Sequence, residues 1–580
     1  MKRLREFYAL IEALECLGWW RGLSPFALYP CKLVCNSPLT ELPIFCRVDR
    51  LVMSYISISM MKGSWQLMGS EKKGFAYLAL AGFTAVLASS GAIAADRDGS
   101  ISIEEHTIQA PFNLTHPVLP ADLLPSPGKE LVTLGVDDNL QKWLGIYTLN
   151  TDNQRYSLFQ KLLLPPSFYS FDISDESDNG QEKQVLYFLS SEHIVQYVPH
   201  NSAAPFDVIA DIQSVTLKKR PDFISRGEFV RDLNGDKRAD ILISDFSQVR
   251  LLLGKAEGGF EHQSLPITPQ VKVNKRGAEY IESKLYISDA NFDGRDDIIK
   301  IAEGELEVYP QNETGMFNPL ASYIPVRQAI SGVDWWNKRD AFGESLDQSS
   351  LIYRKVEEVR DINNDGITDL VLRYTKSSGV LDRVNDYEVF LGEKLKDKLV
   401  FPAKASSVVR AEGTLTGLEF IDIDNDDKLE VMVAGFDIGL SQIIGALVSG
   451  SIDQDVYLFK MDNNSLFQAK PNVSKEVELS FSLTSGQSGS PVVKLADING
   501  DKVQDLLLSD GQDRLKIFLG DSGGKLFKSR SEQFNILLPQ EGGMLSSDDL
   551  NGDGKDDILI KYGRQDDEKL LSQFKVLISG

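Results

Sequence analysis

The sequence is poor in cysteine and histidine, the residues on which disulfide scaffolds, redox sites and zinc sites depend. Its 580 residues include four cysteines, all within the first 46 residues, so no disulfide can tie the rest of the chain together. The five histidines all lie in the first half of the chain and are not spaced as a metal-binding pair. A phosphate-binding Gly-Lys-Ser/Thr loop is also missing. These absences exclude a disulfide-rich module and argue against a P-loop nucleotide binder.

Basic residues are outnumbered, with 61 Lys and Arg against 84 Asp and Glu and a formal net charge of −23. A protein that reads nucleic acid needs a basic face for the phosphates, so we expect no nucleic-acid partner. The excess of acid instead favours cationic partners such as metal ions. The chain is 42% hydrophobic and 25% charged, which is typical of a folded protein and not of a disordered or polytopic membrane chain.

One apolar stretch near the N-terminus, residues 75–87, has the organisation of a secretory signal. The charged residues 71–73 precede it, and small residues ending in Ala94 and Ala95 follow it. We therefore predict a signal peptide over residues 61–95, with cleavage after Ala94 or Ala95. A membrane anchor is disfavoured because the stretch is shorter than about 20 residues and is diluted with Gly, Ser and Thr.

Residues 1–60 precede this signal, where a true N-terminus would be expected. We interpret them as a spurious extension, with translation beginning at Met61 or Met68, or as a disordered one. The exported chain then spans residues 96–580, has no cysteine and is expected to have no membrane span. Because residues 1–95 hold ten basic and six acidic residues, the exported chain holds 51 and 78, a net charge of −27. We expect it in the periplasm or outside the cell.

A nine-residue acidic pattern recurs six times in the exported chain, with first residues 52 to 75 positions apart. In each copy, side-chain oxygens occupy positions 1, 3, 5 and 9, and an apolar run typical of a buried strand follows at once. Two weaker copies begin at Asp122 and Asp172, and the eight copies are on average 61 residues apart. The six close copies span residues 232–240, 289–297, 361–369, 422–430, 497–505 and 549–557.

The repeat predicts an all-β fold, a β-propeller of about eight four-stranded blades, with seven blades as the alternative. The chain stops after residues 574–580, one strand short of a complete blade, whereas residues 100–108 form a lone strand at the other end. We therefore predict that this N-terminal strand completes the last blade and leaves no open sheet edge. Helical periodicity is missing between the strands, which excludes an α/β fold.

Alternating oxygen ligands in a tight loop suit a hard cation with six or seven ligands, so we predict that the loops bind calcium. The backbone carbonyl at position 7 would supply a further oxygen. Calcium fits better than magnesium because protein oxygens supply most of the shell, and zinc would need His or Cys. We predict about six calcium ions and these ligand positions: Asp232, Asn234, Asp236, Arg238 and Asp240; Asp289, Asn291, Asp293, Arg295 and Asp297; Asp361, Asn363, Asp365, Ile367 and Asp369; Asp422, Asp424, Asp426, Lys428 and Glu430; Asp497, Asn499, Asp501, Val503 and Asp505; Asp549, Asn551, Asp553, Lys555 and Asp557.

Two other interpretations of the acidic loops fit less well. An Asx-rich turn that closes a hairpin could explain one copy, but it explains six copies with the same oxygen spacing poorly. An EF-hand would need Glu at position 12 and flanking helices. Position 12 instead holds Ile, Lys, Leu, Val, Leu and Ile in the six copies, and strands are predicted to follow.

The acidic loops and the strands after them resemble the FG-GAP or VCBS-type repeat, as in the N-terminal propeller of integrin α chains and in many bacterial secreted proteins. The resemblance covers the whole exported chain, with six close copies and two degenerate ones. The Phe-Gly and Gly-Ala-Pro flanks of the family name are missing, so the chain is more similar to the bacterial secreted group than to integrins. The resemblance implies a calcium-bound propeller and does not imply integrin function.

An enzyme is not expected from this sequence, and no catalytic or organic-cofactor-binding residue is predicted. Residues 486–490 faintly resemble a nucleophile elbow, but Ser490 stands where the second glycine should be and no histidine follows it. Eight repeats of about 61 residues account for the whole exported chain and leave no room for an appended catalytic domain.

Three insertions interrupt the repeat, near residues 327–352, 375–386 and 435–453. The first holds adjacent Trp335 and Trp336, which could stack on a sugar ring or anchor a partner, although we favour packing against the propeller. Loops on a rigid scaffold are where binding usually resides, so we predict a monomeric binding or scaffold module for protein or surface partners. The alternatives are a lectin-like propeller with a glycan partner and a polysaccharide-active enzyme.

Overall fold

The computed structural model describes residues 101–580 apart from 179–180, 200, 202, 213–222, 275–276, 341, 380–381, 437–450, 483–486 and 523–524. The signal peptide and the extension predicted for residues 1–95 lie outside the described residues. Within the described ranges, no helix has the length and apolar character of a membrane span. The regular structure there is almost all strand, with 3₁₀ turns at Trp335–Asn337, Gln348–Ser350, Gly542–Met544 and Glu568–Leu570.

The strands form eight sheets, called blades 1 to 8, that follow one another along the chain and are each built on four strands. The first strand, β1 (Ile103–Gln109), belongs to blade 8. Blade 1 contains β2 (Asn113–Leu114), β3 (Leu119–Ala121), β4 (Glu130–Val136), β5 (Lys142–Asn150) and β6 (Arg155–Leu163). Blade 2 contains β7 (Ser170–Asp178), β8 (Gln181–Leu189), β9 (His193–Tyr197), β10 (Phe206–Asp211) and a short parallel strand, β11 (Ser225–Arg226).

Blades 3 and 4 are separated by a two-stranded hairpin. Blade 3 contains β12 (Val230–Arg231), β13 (Asp240–Ser244), β14 (Val249–Gly254) and β15 (Phe260–Leu265). The hairpin contains β16 (Gln270–Asn274) and β17 (Gly277–Ile281). Blade 4 contains β18 (Leu285–Ser288), β19 (Asp297–Ile301), β20 (Glu305–Tyr309) and β21 (Ser322–Pro325).

Blades 5 to 8 complete the series. Blade 5 contains β22 (Leu351–Arg360), β23 (Asp369–Gly379), β24 (Asp382–Phe390) and β27 (Ser407–Val409), with a hairpin of β25 (Glu393–Leu395) and β26 (Lys398–Val400). Blade 6 contains β28 (Thr414–Ile421), β29 (Glu430–Phe436), β30 (Ser451–Phe459), β31 (Val473–Ser482) and β32 (Gln487–Ser488). Blade 7 contains β33 (Val493–Ala496), β34 (Asp505–Ser509), β35 (Leu515–Phe518) and β36 (Glu532–Phe534). Blade 8 contains β37 (Leu545–Asp548), β38 (Asp557–Lys561) and β39 (Gln573–Ser579).

The hydrophobic core is divided into eight clusters, one between each pair of neighbouring blades. Seven of them join consecutive blades, and the eighth joins blade 8 back to blade 1 through residues such as Tyr147 and Phe574, whose rings meet edge to face at 5.2 Å. Because every blade is packed on both faces, its central strands read as continuous apolar runs rather than as alternating ones. The molecule is therefore an eight-bladed β-propeller, as predicted.

The ring is closed by β1. This strand pairs antiparallel with β39 along its whole length, from Ile103 opposite Ser579 to Gln109 opposite Gln573. Blade 8 thus takes its outer strand from the beginning of the propeller and its other three strands from the end. The prediction that an N-terminal strand completes the last blade is confirmed, and this blade has no unpaired strand at the junction of the two chain ends.

The three segments predicted as insertions differ in structure. Residues 327–352 are largely irregular and contain the first two 3₁₀ turns. Of residues 375–386, 375–379 lie in β23 and 382–386 in β24, and these paired strands extend the central hairpin of blade 5. Of residues 435–453, the part 437–450 is outside the described residues, and its two flanks are the ends of β29 and β30.

Candidate metal centres in the acidic loops

The six acidic loops occupy the same place in blades 3 to 8. Each connects the first strand of its blade to the second, and position 9 of the pattern is the first residue of that second strand. Neighbouring loops also contact one another around the ring. In blades 6, 7 and 8 the backbone N–H at position 8 of the loop donates to a carbonyl at position 1 or 2 of the preceding loop, as from Gln504 to Ile423 at 2.8 Å and from Asp556 to Asp497 at 2.7 Å. The loops therefore lie side by side on one end of the propeller.

The position 1 aspartate organises the backbone of each loop. Asp232 accepts hydrogen bonds from the N–H groups of Gly235 at 2.7 Å and Lys237 at 2.8 Å. The residues at positions 4 and 6 have positive φ in all six loops, from 57° at Asn425 to 86° at Gly554. Gly, Asn and Asp tolerate this conformation best and supply nine of these twelve residues. The shared turn leaves the side chains at positions 1, 3 and 5 at the loop tip.

The loop-tip side chains at positions 3 and 5 approach each other closely. The amide of Asn499 donates to Asp501 at 3.0 Å, and that of Asn551 donates to Asp553 at 3.2 Å. In the blade 6 loop, where position 3 is also acidic, carboxylate oxygens of Asp422, Asp424 and Asp426 all lie within 4.8 Å of one another. Within the described ranges, no other three His, Cys, Asp or Glu side chains bring their ligand atoms this close together. Oxygen-only donors at this spacing suit a hard cation.

The position 9 carboxylate is in a different environment, buried at the base of the loop. Asp369 has 0% exposure and accepts two backbone hydrogen bonds, from Ile362 at position 2 at 3.1 Å and from Gly392 beyond the third strand at 2.8 Å. The same pair of bonds recurs at position 9 of blades 3, 4, 7 and 8. This carboxylate therefore ties the loop to the third strand of its own blade, a role that needs no metal.

Burial also changes the acidity of the position 9 groups. Desolvation raises the pKa of Asp369 to about 7 and that of Asp240 to about 6, and the backbone hydrogen bonds only partly offset it. Glu430 of blade 6 also has its pKa raised to about 7 by desolvation. The carboxylates at positions 1 and 5 of the same loop, Asp361 and Asp365, repel Asp369 and raise its pKa further.

Position 7 was predicted to contribute only its backbone carbonyl, and two of its side chains turn back onto the loop. The guanidinium of Arg238 hydrogen-bonds Asp236, and that of Arg295 hydrogen-bonds Asp293 at 2.6 Å. Each arginine contacts one carboxylate, at position 5. Because these pairs are partly exposed, their contribution to stability is small. Sequence spacing alone gave no sign of these contacts.

The two weaker copies of the pattern form no ligand loop. In blade 1, Glu130 keeps the position 9 role and accepts from the N–H groups of Leu123 and Leu124, both at 2.9 Å. Leu124 itself stands at position 3, where the close copies have an oxygen ligand. In blade 2, Asp172 lies inside β7 and accepts from Phe229 and Val230 of blade 3. Blades 1 and 2 are therefore built without the loop-tip oxygens.

The tryptophan pair of the 327–352 segment lies against blade 5. Trp335 is buried, with 8% exposure, and meets Trp336 edge to face at 5.4 Å. The guanidinium of Arg383 lies over the Trp335 ring at 5.3 Å, and that of Arg373 lies over the Trp336 ring at 5.6 Å. Trp335 is therefore largely covered, whereas Trp336 is only partly buried. The exposed aromatic side chain of this segment is Phe342, with 90% exposure.

Comparison with known proteins gives one family match and several distant structures. Residues 497–560 match the FG-GAP-like repeat. No curated protein sequence matches the chain. A lectin from Agrocybe aegerita that recognises non-reducing terminal N-acetylglucosamine is 13% identical, with 74% of this chain and 96% of that one covered and a TM-score of 0.37. The Dos1 propeller is 10% identical, with 81% and 93% covered and a TM-score of 0.37.

A third similar structure is that of an enzyme, the periplasmic gluconolactonase PpgL of Pseudomonas aeruginosa. It is 10% identical, with 73% of this chain and 96% of that one covered and a TM-score of 0.32. Likeness at this level does not establish an enzyme. The family match covers the acidic loops of blades 7 and 8 and the strands between them. An FG-GAP-like repeat within an eight-bladed ring supports an FG-GAP-type propeller and fits a binding or scaffold module.

Proposed function

We propose that the protein is an exported, calcium-stabilised propeller that serves as a binding or scaffold module for protein or surface partners. One observation carries the calcium part of this proposal: six loops with the same backbone conformation and the same oxygen donors lie together on one end of the ring. A single loop of this kind would be an ordinary Asx turn. Six loops that all keep side-chain oxygens at positions 1, 3 and 5 of the same turn support their retention for a ligand.

The chemistry of the loops fits calcium. Positions 1, 3 and 5 would supply side-chain oxygens and position 7 its carbonyl, whereas the position 9 carboxylate, already bonded to two N–H groups, has a remaining lone pair on each oxygen. The bound ion would neutralise carboxylates that repel one another when the loop is empty. Because the ion would bind the native state and not the unfolded chain, it would stabilise the fold.

Calcium titration of the chelated protein tests the proposal. We expect several ions per chain by calorimetry or native mass spectrometry, and a marked fall in the melting temperature when a chelator removes them. Magnesium at the same concentration should restore less of the melting temperature, because it prefers water and a strict octahedral shell. A melting temperature that is the same with calcium and with chelator would refute calcium stabilisation.

The partner is expected to bind on loops that the rigid ring holds in place. Phe342, on the irregular segment beside blade 5, is a large apolar side chain exposed on such a loop. Glycan binding through the tryptophan pair is less favoured since Trp335 is buried under Arg383. A glycan array of the wild type and of Trp336→Ala distinguishes the scaffold function from the lectin alternative. A glycan signal that the wild type gives and the variant loses would favour the lectin.

A further inference from the structure

The blade 6 loop carries more negative charge than the other five loops. Position 3 is Asp424, where every other loop has Asn, and position 9 is Glu430, where every other loop has Asp. Four carboxylates thus occupy the ligand positions 1, 3, 5 and 9 of this loop, and three of them form the close group at its tip. If these loops bind calcium, charge alone would make this loop the strongest calcium site of the six.

Two buried carboxylate oxygens of this loop lack a hydrogen bond. Glu430 has 1% exposure, and its Oε2 accepts from the N–H of Ile423 at 2.9 Å, but its Oε1 has no partner among the described residues. Oδ1 of Asp424, whose side chain is 9% exposed, also has none within the described ranges. In the other five loops both position 9 oxygens are satisfied by backbone N–H groups. Buried charged oxygens without partners are costly, so this loop requires a cation more than the others do.

A lysine supplies a positive charge at this place. Lys460 directly follows β30, and its ammonium group hydrogen-bonds Asp424 and lies 3.4 Å from Asp426. The strand register shows that the matching residue in the other five blades is apolar: Leu253, Pro310, Leu391, Leu519 and Ile578. An apolar side chain at this position cannot contact the loop as a cation. The extra carboxylate at position 3 and the lysine therefore occur together, in this blade and in none of the other five.

The arginines of blades 3 and 4 are not equivalent to Lys460. Arg238 and Arg295 are part of their own loops and each contacts one carboxylate, at position 5. Lys460 comes from the third strand and bridges positions 3 and 5, two of the three carboxylates that would have to surround an ion. Its charge therefore lies at the ligand oxygens themselves, where an ammonium group and a calcium ion exclude each other.

We propose that Lys460 is the resident cation of the blade 6 loop and keeps calcium out of it, an inference that rests on the proposed calcium binding by the other loops. Calcium entry would require the ammonium group to leave Asp424 and Asp426, losing two charge-assisted contacts before the ion is bound. The chain would then bind five calcium ions, in blades 3, 4, 5, 7 and 8. Blade 6 would keep its loop ordered whether or not calcium is present.

Ion counting with a lysine variant tests this. Native mass spectrometry with calcium alone should give five ions for the wild type and six for Lys460→Met, which keeps the length of the side chain and removes its charge. Arg295→Met removes a cation that contacts a single carboxylate, and it should leave the count at five. Six ions on the wild type, or no gain in Lys460→Met, would overturn the proposal.

A thermal measurement separates this inference from the proposed function. In chelator, Lys460→Met should melt below the wild type because four carboxylates lose their cation, and calcium should remove most of that deficit. If neither protein binds calcium, the calcium function fails, yet the deficit in chelator would still identify Lys460 as the loop's cation. If Lys460→Met and the wild type have the same melting temperature in chelator, the ammonium group does not stabilise this loop, whatever the ion count.

Discussion

Blades 1 and 2 differ from blades 3 to 8 in what accompanies the hydrophobic clusters that join all the blades. The later blades have acidic loops with oxygens at the tip. The first two lack those oxygens and instead contain a cluster of rings, in which Phe168 stacks on Phe188 at 5.0 Å and Phe206 meets both edge to face. Nearby, His116 stacks on Phe223 at 4.7 Å. Blade 1 nevertheless keeps the position 9 carboxylate, as Glu130.

This difference separates two functions within the acidic pattern. The position 9 acid accepts backbone hydrogen bonds from its own loop in blade 1 as well as in blades 3 to 8, so this structural role does not depend on the loop-tip oxygens. A loop with the full set of side-chain oxygens at positions 1, 3 and 5 occurs only in blades 3 to 8, among the described residues. The pattern therefore combines a carboxylate that binds backbone N–H groups with the loop-tip oxygens of the proposed calcium site, and the two can be disturbed separately.

Calcium removal should have the largest effect on stability, and that effect should be confined to blades 3 to 8. At a hundredfold excess over Kd, each bound ion stabilises the native state by about 2.7 kcal/mol, and several ions would be lost together. In chelator we expect amide hydrogen exchange to rise in the acidic loops of blades 3, 4, 5, 7 and 8. Exchange should change little in the blade 6 loop and in β4 and β8. Hydrogen exchange with and without calcium, read by mass spectrometry, measures this.

The control is a second exchange series in calcium-free buffer without chelator, which separates loss of calcium from an effect of the chelator itself. An equal rise of amide exchange in blades 1 and 2 would contradict the distinction between these blades and blades 3 to 8. It would mean that the whole ring responds to calcium as one unit.

The aromatic cluster should respond in the opposite way. Phe188 is fully buried, and its truncation in Phe188→Ala should lower the free energy of unfolding by about 3–5 kcal/mol. The loss should be the same with calcium and with chelator, since no loop-tip oxygen lies in this cluster. Denaturant unfolding followed by fluorescence gives the value.

Phe159 provides the matched control, because it is a phenylalanine of blade 1 with 50% exposure. Phe159→Ala should cost little in either condition. A Phe188→Ala deficit that depended on calcium would link the cluster to the loops and remove the distinction between them.

A smaller effect should separate the two devices within one loop. Asp369→Ala leaves the buried N–H groups of Ile362 and Gly392 without their acceptor and should cost about 2–4 kcal/mol even in chelator. Asp361→Ala, at position 1 of the same loop, should lower stability mainly when calcium is present. Thermal melts of both variants in calcium and in chelator measure this difference. If the two variants lost stability with the same dependence on calcium, positions 1 and 9 would not have separate roles.

The fold could be predicted from the sequence because it depends on features that repeat. Eight apolar strand runs at a regular interval gave the blade number, and the unmatched strands near residues 100–108 and 574–580 gave the closure by β1. Each blade meets only its neighbours, so a local pattern repeated eight times determines the whole ring.

The site was less accessible to sequence reasoning. An oxygen at position 9 can ligate an ion or accept backbone N–H groups, and spacing does not distinguish the two. Lys460 lies 36 residues beyond Asp424, so its contact depends on strand register and not on a motif. The copy at Asp172 also shows this limit, because the acidic residues there belong to a hairpin strand.

The pairing of β1 with β39 also determines how the ring resists force. Ile103, the first residue of β1, lies opposite Ser579, the last residue of β39, so the chain enters β1 and leaves β39 at the same end of the strand pair. Tension applied between those ends would peel the strands apart one hydrogen bond at a time, instead of loading all the bonds of the pair at once. Blade 8 is therefore the mechanical weak point of the propeller, and stretching should open the ring there before any other blade yields.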